Sequence, residues 1–109
     1  MSARLSTSVV VGALLRMAEG EGGFGAVLAK GDAEAGSVLV MLTERGANST
    51  LYERVLQPGG AYAWAQVVDN EDEVPQFVAR RRRYDPDLWV LELDIPSRER
   101  FAAEMNALD

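Results

Sequence analysis

The sequence contains neither cysteine nor histidine. Without cysteine there are no disulfides, no thiolate metal ligands and no thiol nucleophile. Without histidine the chain lacks the commonest general base, the commonest transition-metal ligand and the side chain that ordinarily changes charge near neutral pH. Ser-His-Asp and Cys-His mechanisms are therefore excluded. Lysine is nearly missing as well: Lys30 stands alone, and the remaining basic charge is arginine. Long apolar runs are absent. The run Val9-Val10-Val11-Gly12-Ala13-Leu14-Leu15 stops at Arg16 with no small-residue cleavage site behind it. It is too short to span a bilayer and a poor secretion signal. A cytoplasmic protein without membrane association is expected.

What is present is a folding composition. Hydrophobic residues make up 48% of the 109 positions and proline only four of them, which argues against disorder. A chain of this length buries roughly 65% of its unfolded surface, enough for one core, so residues 1–109 are expected to form a single domain. The formal net charge is −6. That balance disfavours long-range attraction to phosphate backbones and anionic lipid.

The periodicities predict the order α-β-β-β-β-α-β-α. A first helix is expected from Ser6 to Glu19, with Ser6, Thr7 and Ser8 offering cap oxygens and Val10, Leu14, Met17 and Ala18 forming a stripe flanked by Val11 and Leu15. This apolar arc is wider than a surface helix needs, so it is covered on two sides or meets a second subunit. Gly20-Glu21-Gly22-Gly23-Phe24-Gly25 is a literal G-x-G-x-x-G. A dinucleotide fingerprint needs a strand before it and a helix after it; here the order is reversed, and a helix C-terminus repels phosphate. The glycines read as a C-cap and turn. Four strands are expected at 24–30, 37–44, 50–56 and 61–68, joined by short turns in an antiparallel meander. The second of them is apolar on both faces and should be central. A second helix is expected from about Asp72 to Tyr84, with acids and Pro75 in its first turn. A fifth strand follows at 88–93, and Ser97 caps a last helix with the stripe Phe101, Met105, Leu108. The fold class is α+β: an antiparallel sheet of about five strands with three helices packed on it.

Inside this acidic chain stands Arg80-Arg81-Arg82-Arg83-Tyr84-Asp85-Pro86-Asp87-Leu88-Trp89. At 100° per residue the four arginines fan around the helix and make no single patch. Arg81 falls on the apolar face set by Val74, Phe77 and Val78, where an unpaired charge is prohibitive. Pro86 turns the chain at Asp85, so at least one Arg–Asp pair is expected within the segment. The functional reading of the same residues is an anion or RNA site made by Arg80, Arg83, Tyr84 and Trp89, or a small-ligand or catalytic cluster of Arg80, Arg83, Asp85 and Asp87. The overall acidity weighs against nucleic acid.

Other constellations are weaker. Asp69, Glu71 and Glu73 have the alternate spacing of a calcium loop, but the sixth position is Val74 where glycine is required, and no bidentate glutamate follows. Asp32 and Glu34 read as solvated turn residues, and Lys30 beside them as exposed. Glu92 and Asp94 share a strand face near its end. No cofactor, metal site or catalytic residue is predicted.

The segments Ala13-Leu14-Leu15-Arg16, Gly22-Gly23-Phe24 through Gly31-Asp32 with Ala35-Gly36, and Arg83-Tyr84-Asp85-Pro86-Asp87-Leu88-Trp89-Val90-x-Glu92 resemble those of a family of small uncharacterised bacterial proteins, one of the domains of unknown function. The pieces span nearly the whole chain, and the last is the most specific. The resemblance implies a compact cytoplasmic bacterial domain, a whole protein and not a fragment, with no assigned activity, cofactor or catalytic residue. The expectation is therefore a non-catalytic interaction or binding module whose partner is a protein, a second copy of the chain included. The alternatives are a small-ligand or anion-binding protein or enzyme using Arg80, Arg83, Tyr84, Asp85, Asp87 and Trp89, and an RNA-binding protein.

Overall fold

The structure is a computed structural model describing residues 5–68 and 70–108. Its elements are α1 (Thr7–Gly20), β1 (Phe24–Ala29), β2 (Val38–Glu44), β3 (Ala47–Leu56), β4 (Tyr62–Val68), a 3-10 turn at Glu71–Glu73, α2 (Val74–Tyr84), β5 (Trp89–Ile95) and α3 (Arg98–Asn106). This is the predicted order, and the fold is α+β.

Helix ends follow local chemistry. At the end of α1, Gly22 takes φ +85°. Its N–H donates to the Glu19 carbonyl at 3.1 Å, and the Gly23 N–H donates to Ala18 at 2.9 Å. That is a Schellman closure, which needs the left-handed conformation glycine adopts without strain. The glycine run is thus a C-cap. The start of α1 differs from expectation. The Ser6 side chain makes no capping bond. Instead the Thr7 and Ser8 amides donate to the carbonyls of Glu34 and Ala33 at 3.2 and 2.9 Å. The loop after β1 therefore fills the role assigned to a cap side chain. At α3, Ser97 does cap, accepting from the Arg100 amide at 3.3 Å.

The sheet order is β1-β5-β2-β3-β4. The meander holds for β2, β3 and β4, which pair antiparallel in sequence. It fails between β1 and β2. There β5 inserts, antiparallel to β1 and parallel to β2, reached from β4 through α2, since a parallel neighbour needs a crossover. The reason lies in side-chain burial. Trp89, Leu91, Leu93 and Ile95 point to one face and Leu88 and Val90 to the other, all buried. A segment apolar on both sides belongs in the sheet interior, whereas β1 is exposed along most of its length and takes an edge.

Two cores result. On one face α1 and α3 bring Val10, Leu14, Phe101 and Met105 onto Val40, Leu42, Leu91 and Leu93. On the other, α2 sets Val74, Phe77 and Val78 against Leu39, Leu51 and Val90. The central strand β2 is covered from both sides, as its sequence requires.

Candidate functional site

Arg81 is the one arginine of the run that α2 turns toward the sheet. Its two terminal nitrogens donate to the two carboxylate oxygens of Glu53, each at 2.8 Å. This is the fork-on-fork arrangement that a planar guanidinium favours. The hydrogen bond to Glu53 holds the guanidinium pKa above its ordinary value, against the opposing effect of burial, and the nearby Asp85 charge adds to the rise. The expected Arg–Asp pair is thereby corrected. Among the described residues no ion pair joins Arg80, Arg82 or Arg83 to Asp85 or Asp87. Asp85 has left the helix (φ −135°, ψ 89°), and its Oδ1 accepts the Asp87 amide at 3.1 Å. A glutamate fixed on β3 beneath the helix offers two oxygens in the right plane; an aspartate on a turning chain does not.

The segment after α2 locks onto the loop between β1 and β2. The Asp32 amide donates to the Asp87 carbonyl at 3.0 Å. The Trp89 indole N–H donates to the Asp32 carbonyl at 2.7 Å, and the Trp89 amide to Ser37 at 2.8 Å. The Asp32 carboxylate accepts the amides of Glu34 and Ala35 at 3.2 and 2.8 Å, closing the loop on itself. A Cβ at Gly31 or Gly36 would overlap the Asp87 carbonyl. The Thr7 hydroxyl donates to Gly36 at 3.0 Å, tying α1 into the same knot. Asp32 is thus an exposed turn residue, as expected, and its carboxylate also organises the loop.

The six candidate residues are not gathered at one point. Trp89 is buried in the α1/α3 core with its N–H occupied, in the opposite layer from α2. Asp87 acts through its backbone. Asp85 is half-buried at the turn. Arg80, Arg83 and Tyr84 remain on the surface of α2, at the i, i+3, i+4 spacing that shares one helix face, and Tyr84 is 77% exposed. Of the calcium-spaced acids, Asp69 lies outside the described residues, and Glu71 and Glu73 are exposed on the 3-10 turn.

Two features escaped sequence reading. One is an open recess of about 510 Å³ at the start of α3, walled by Glu44, Thr50, Tyr52, Gln66, Arg98, Glu99 and Ala102. Glu44 accepts the Arg98 amide there at 2.9 Å and lies 3.7 Å from Arg98 Nε, which, like the buried Thr50 Oγ1, makes no hydrogen bond. The other is the outer side of β1. Phe24, Val27 and Leu28 are 62%, 43% and 50% exposed on a strand paired along one side only.

Together these features define a three-layer α+β domain in which a Gly-Asp loop and an R-Y-D-P-D-L-W segment interlock. The chain belongs to the DUF1491 family, proteins of unknown function, which it matches over residues 5–103. It is similar to the crystal structure of a DUF1491 family protein from Caulobacter crescentus, with 36% identity and a TM-score of 0.80 over 90% of this chain and 94% of the other. A solution structure of a DUF1491 protein from the same organism gives 38% identity and a TM-score of 0.76 over 86% and 89%. The solution structure of protein Atu0922 from A. tumefaciens gives 28% and 0.74 over 91% and 92%. No curated protein matches the chain.

Proposed function

We propose that the chain is a non-catalytic interaction module that docks a protein partner by adding a strand to the free edge of its sheet along β1. The observation that carries this reading is the composition of that edge. From Gly22 to Ala29 there is no charged side chain and no proline, and three large apolar side chains face solvent. Edge strands in natural proteins are ordinarily defended by charge, proline or a covering element, and an undefended one suits strand addition. The opposite edge is different: the Asn106 side chain of α3 accepts the Trp64 amide of β4 at 2.9 Å. The absence of cysteine supports a cytoplasmic setting, and the organisms of the relatives support a bacterial source. Selection from a displayed library of linear peptides, with the protein immobilised sparsely, tests the reading. Extended apolar sequences should enrich on the wild type and be lost on a Val27→Lys, Leu28→Lys variant. No enrichment, or equal enrichment on the variant, refutes it.

A second reading rests on Arg80, Arg83 and Tyr84, three exposed groups on one helix face that suit stacking and phosphate contact. Binding of single-stranded RNA should then weaken steeply with salt and drop in Arg83→Ala. Salt-independent binding, or none, removes this reading.

A further inference from the structure

We infer that the strand added to β1 comes from a second copy of this chain, paired antiparallel about a two-fold axis; this rests on the reading of β1 as a docking edge. Charge favours a second copy as the occupant of this edge. Two copies of a molecule carrying −6 repel at most approaches, and an isologous contact sets identical side chains near one another. Like charges opposed across a strand pair destabilise it. The Gly22–Ala29 run avoids that penalty because it carries no charge.

Self-pairing also permits a register that suits the side chains of β1. Opposite residues in an antiparallel pair lie on the same face, so an axis through Ala26 sets Gly25 of one copy against Val27 of the other. Gly25 faces α1, where Leu15 packs so closely over it that a Cβ would have no room, and Val27 pairs with Leu91 on the same side of the sheet. A residue without a side chain thus meets a large apolar one. The irregularity between Val27 and Ala29 ends the ladder there and leaves Leu28 level with Phe24 of the other copy.

The helix α1 covers one face of this edge strand, with Leu15 packed on Gly25, and leaves its outer side unpaired. Self-pairing joins the two sheets into one of ten strands with the α1 helices on the same face.

Sedimentation equilibrium and circular dichroism test this. The wild type should sediment at twice 11.9 kDa, and the Val27→Lys, Leu28→Lys variant at the monomer mass with an unchanged far-ultraviolet spectrum. Should that variant fail to fold, Ala26→Pro, at an exposed edge position, serves in its place. A wild type that stays monomeric at millimolar concentration, or a folded variant that stays dimeric, overturns self-pairing. Peptide enrichment on a monomeric wild type leaves the docking reading standing with another protein as partner. Loss of both removes that reading too.

Discussion

Arg81 on α2 and Glu53 on β3 hold each other with two parallel hydrogen bonds of 2.8 Å across the α2 face of the sheet. Their side chains are 29% and 20% exposed, between the regime where an ion pair contributes almost nothing and the one where breaking it is severe. Arg81→Ala should therefore destabilise by about 1–3 kcal/mol in urea unfolding, mostly because the Glu53 carboxylate loses both of its hydrogen-bond donors in a half-dry place. Arg81→Lys should recover only part, since an ammonium cannot bridge both oxygens. Arg81→Met with Glu53→Leu should return to within about 1 kcal/mol of wild type. A single Arg81→Ala change with no measurable effect would contradict this account.

The knot around Asp87 predicts an ordering of a different kind. Gly31→Ala and Gly36→Ala each force a methyl group onto the Asp87 carbonyl. The obstacle is backbone, which cannot swing aside, so each should cost about 2–4 kcal/mol or abolish folding. Trp89→Phe keeps the buried ring but removes the 2.7 Å bond to Asp32. It should cost about 1–3 kcal/mol, the range for a lost ring contact plus an unsatisfied carbonyl. Thermal unfolding of the three variants checks the order; a glycine variant milder than Trp89→Phe would show that the loop relaxes freely.

The part of this fold that was legible in the sequence is the part governed by neighbours in the chain. The glycine C-cap of α1, the Ser97 cap of α3, the two-sided burial of β2 and the element order all follow from local spacing. The position of β5 did not, because strand order depends on which edges are left to pair, and short turns suggested a meander. Glu53 was missed for the same reason, although a signal existed: it sits between Leu51 and Val55 on one strand face, just as Arg81 sits among Val74, Phe77 and Val78. Two charges in two apolar stripes are a pair in waiting. Trp89 was placed both in a strand and among the ligand-binding candidates, and only the strand position fits where it lies. The β1 edge was invisible because exposure of Phe24, Val27 and Leu28 is set by what packs on them, not by what they are.

Buried hydroxyls offer a contrast within one residue type. Thr50 is 7% exposed with its Oγ1 unpartnered, while Thr7 is 2% exposed and its Oγ1 donates to Gly36 at 3.0 Å. Valine has the same shape without the hydroxyl. Thr50→Val should be neutral or stabilise by up to about 1 kcal/mol, because it removes a dehydrated group that makes no bond. Thr7→Val should destabilise by about 1–2 kcal/mol, since the Gly36 carbonyl loses its donor. Paired denaturant curves decide it, and a destabilised Thr50→Val would mean that an ordered water or ligand satisfies that hydroxyl.

A pH dependence follows from Glu21, at the C-terminal end of α1. A hydrogen bond with Glu104 raises its pKa above the ordinary value, burial and the Glu104 charge raise it further, and Arg100 opposes them. The folded state therefore holds the Glu21 proton more tightly than the unfolded state does. A group shifted in this direction favours folding at low pH, and its contribution is lost as pH rises from the unfolded pKa through the folded one. Above the folded pKa the folded state bears the cost of placing the Glu21 charge beside Glu104. Glu21→Gln removes that cost, so it should raise the melting temperature at pH 7. The gain should shrink toward zero below about pH 4, where the native glutamate is itself protonated. Because the effect belongs to the pair, Glu104→Gln should give the same gain less whatever its 3.4 Å contact with Arg100 contributes, and the double variant should gain less than the sum. Melting curves of the four proteins across pH 3–8 test this, and a Glu21→Gln gain that persisted unchanged into acid would assign it to helix propensity instead of charge.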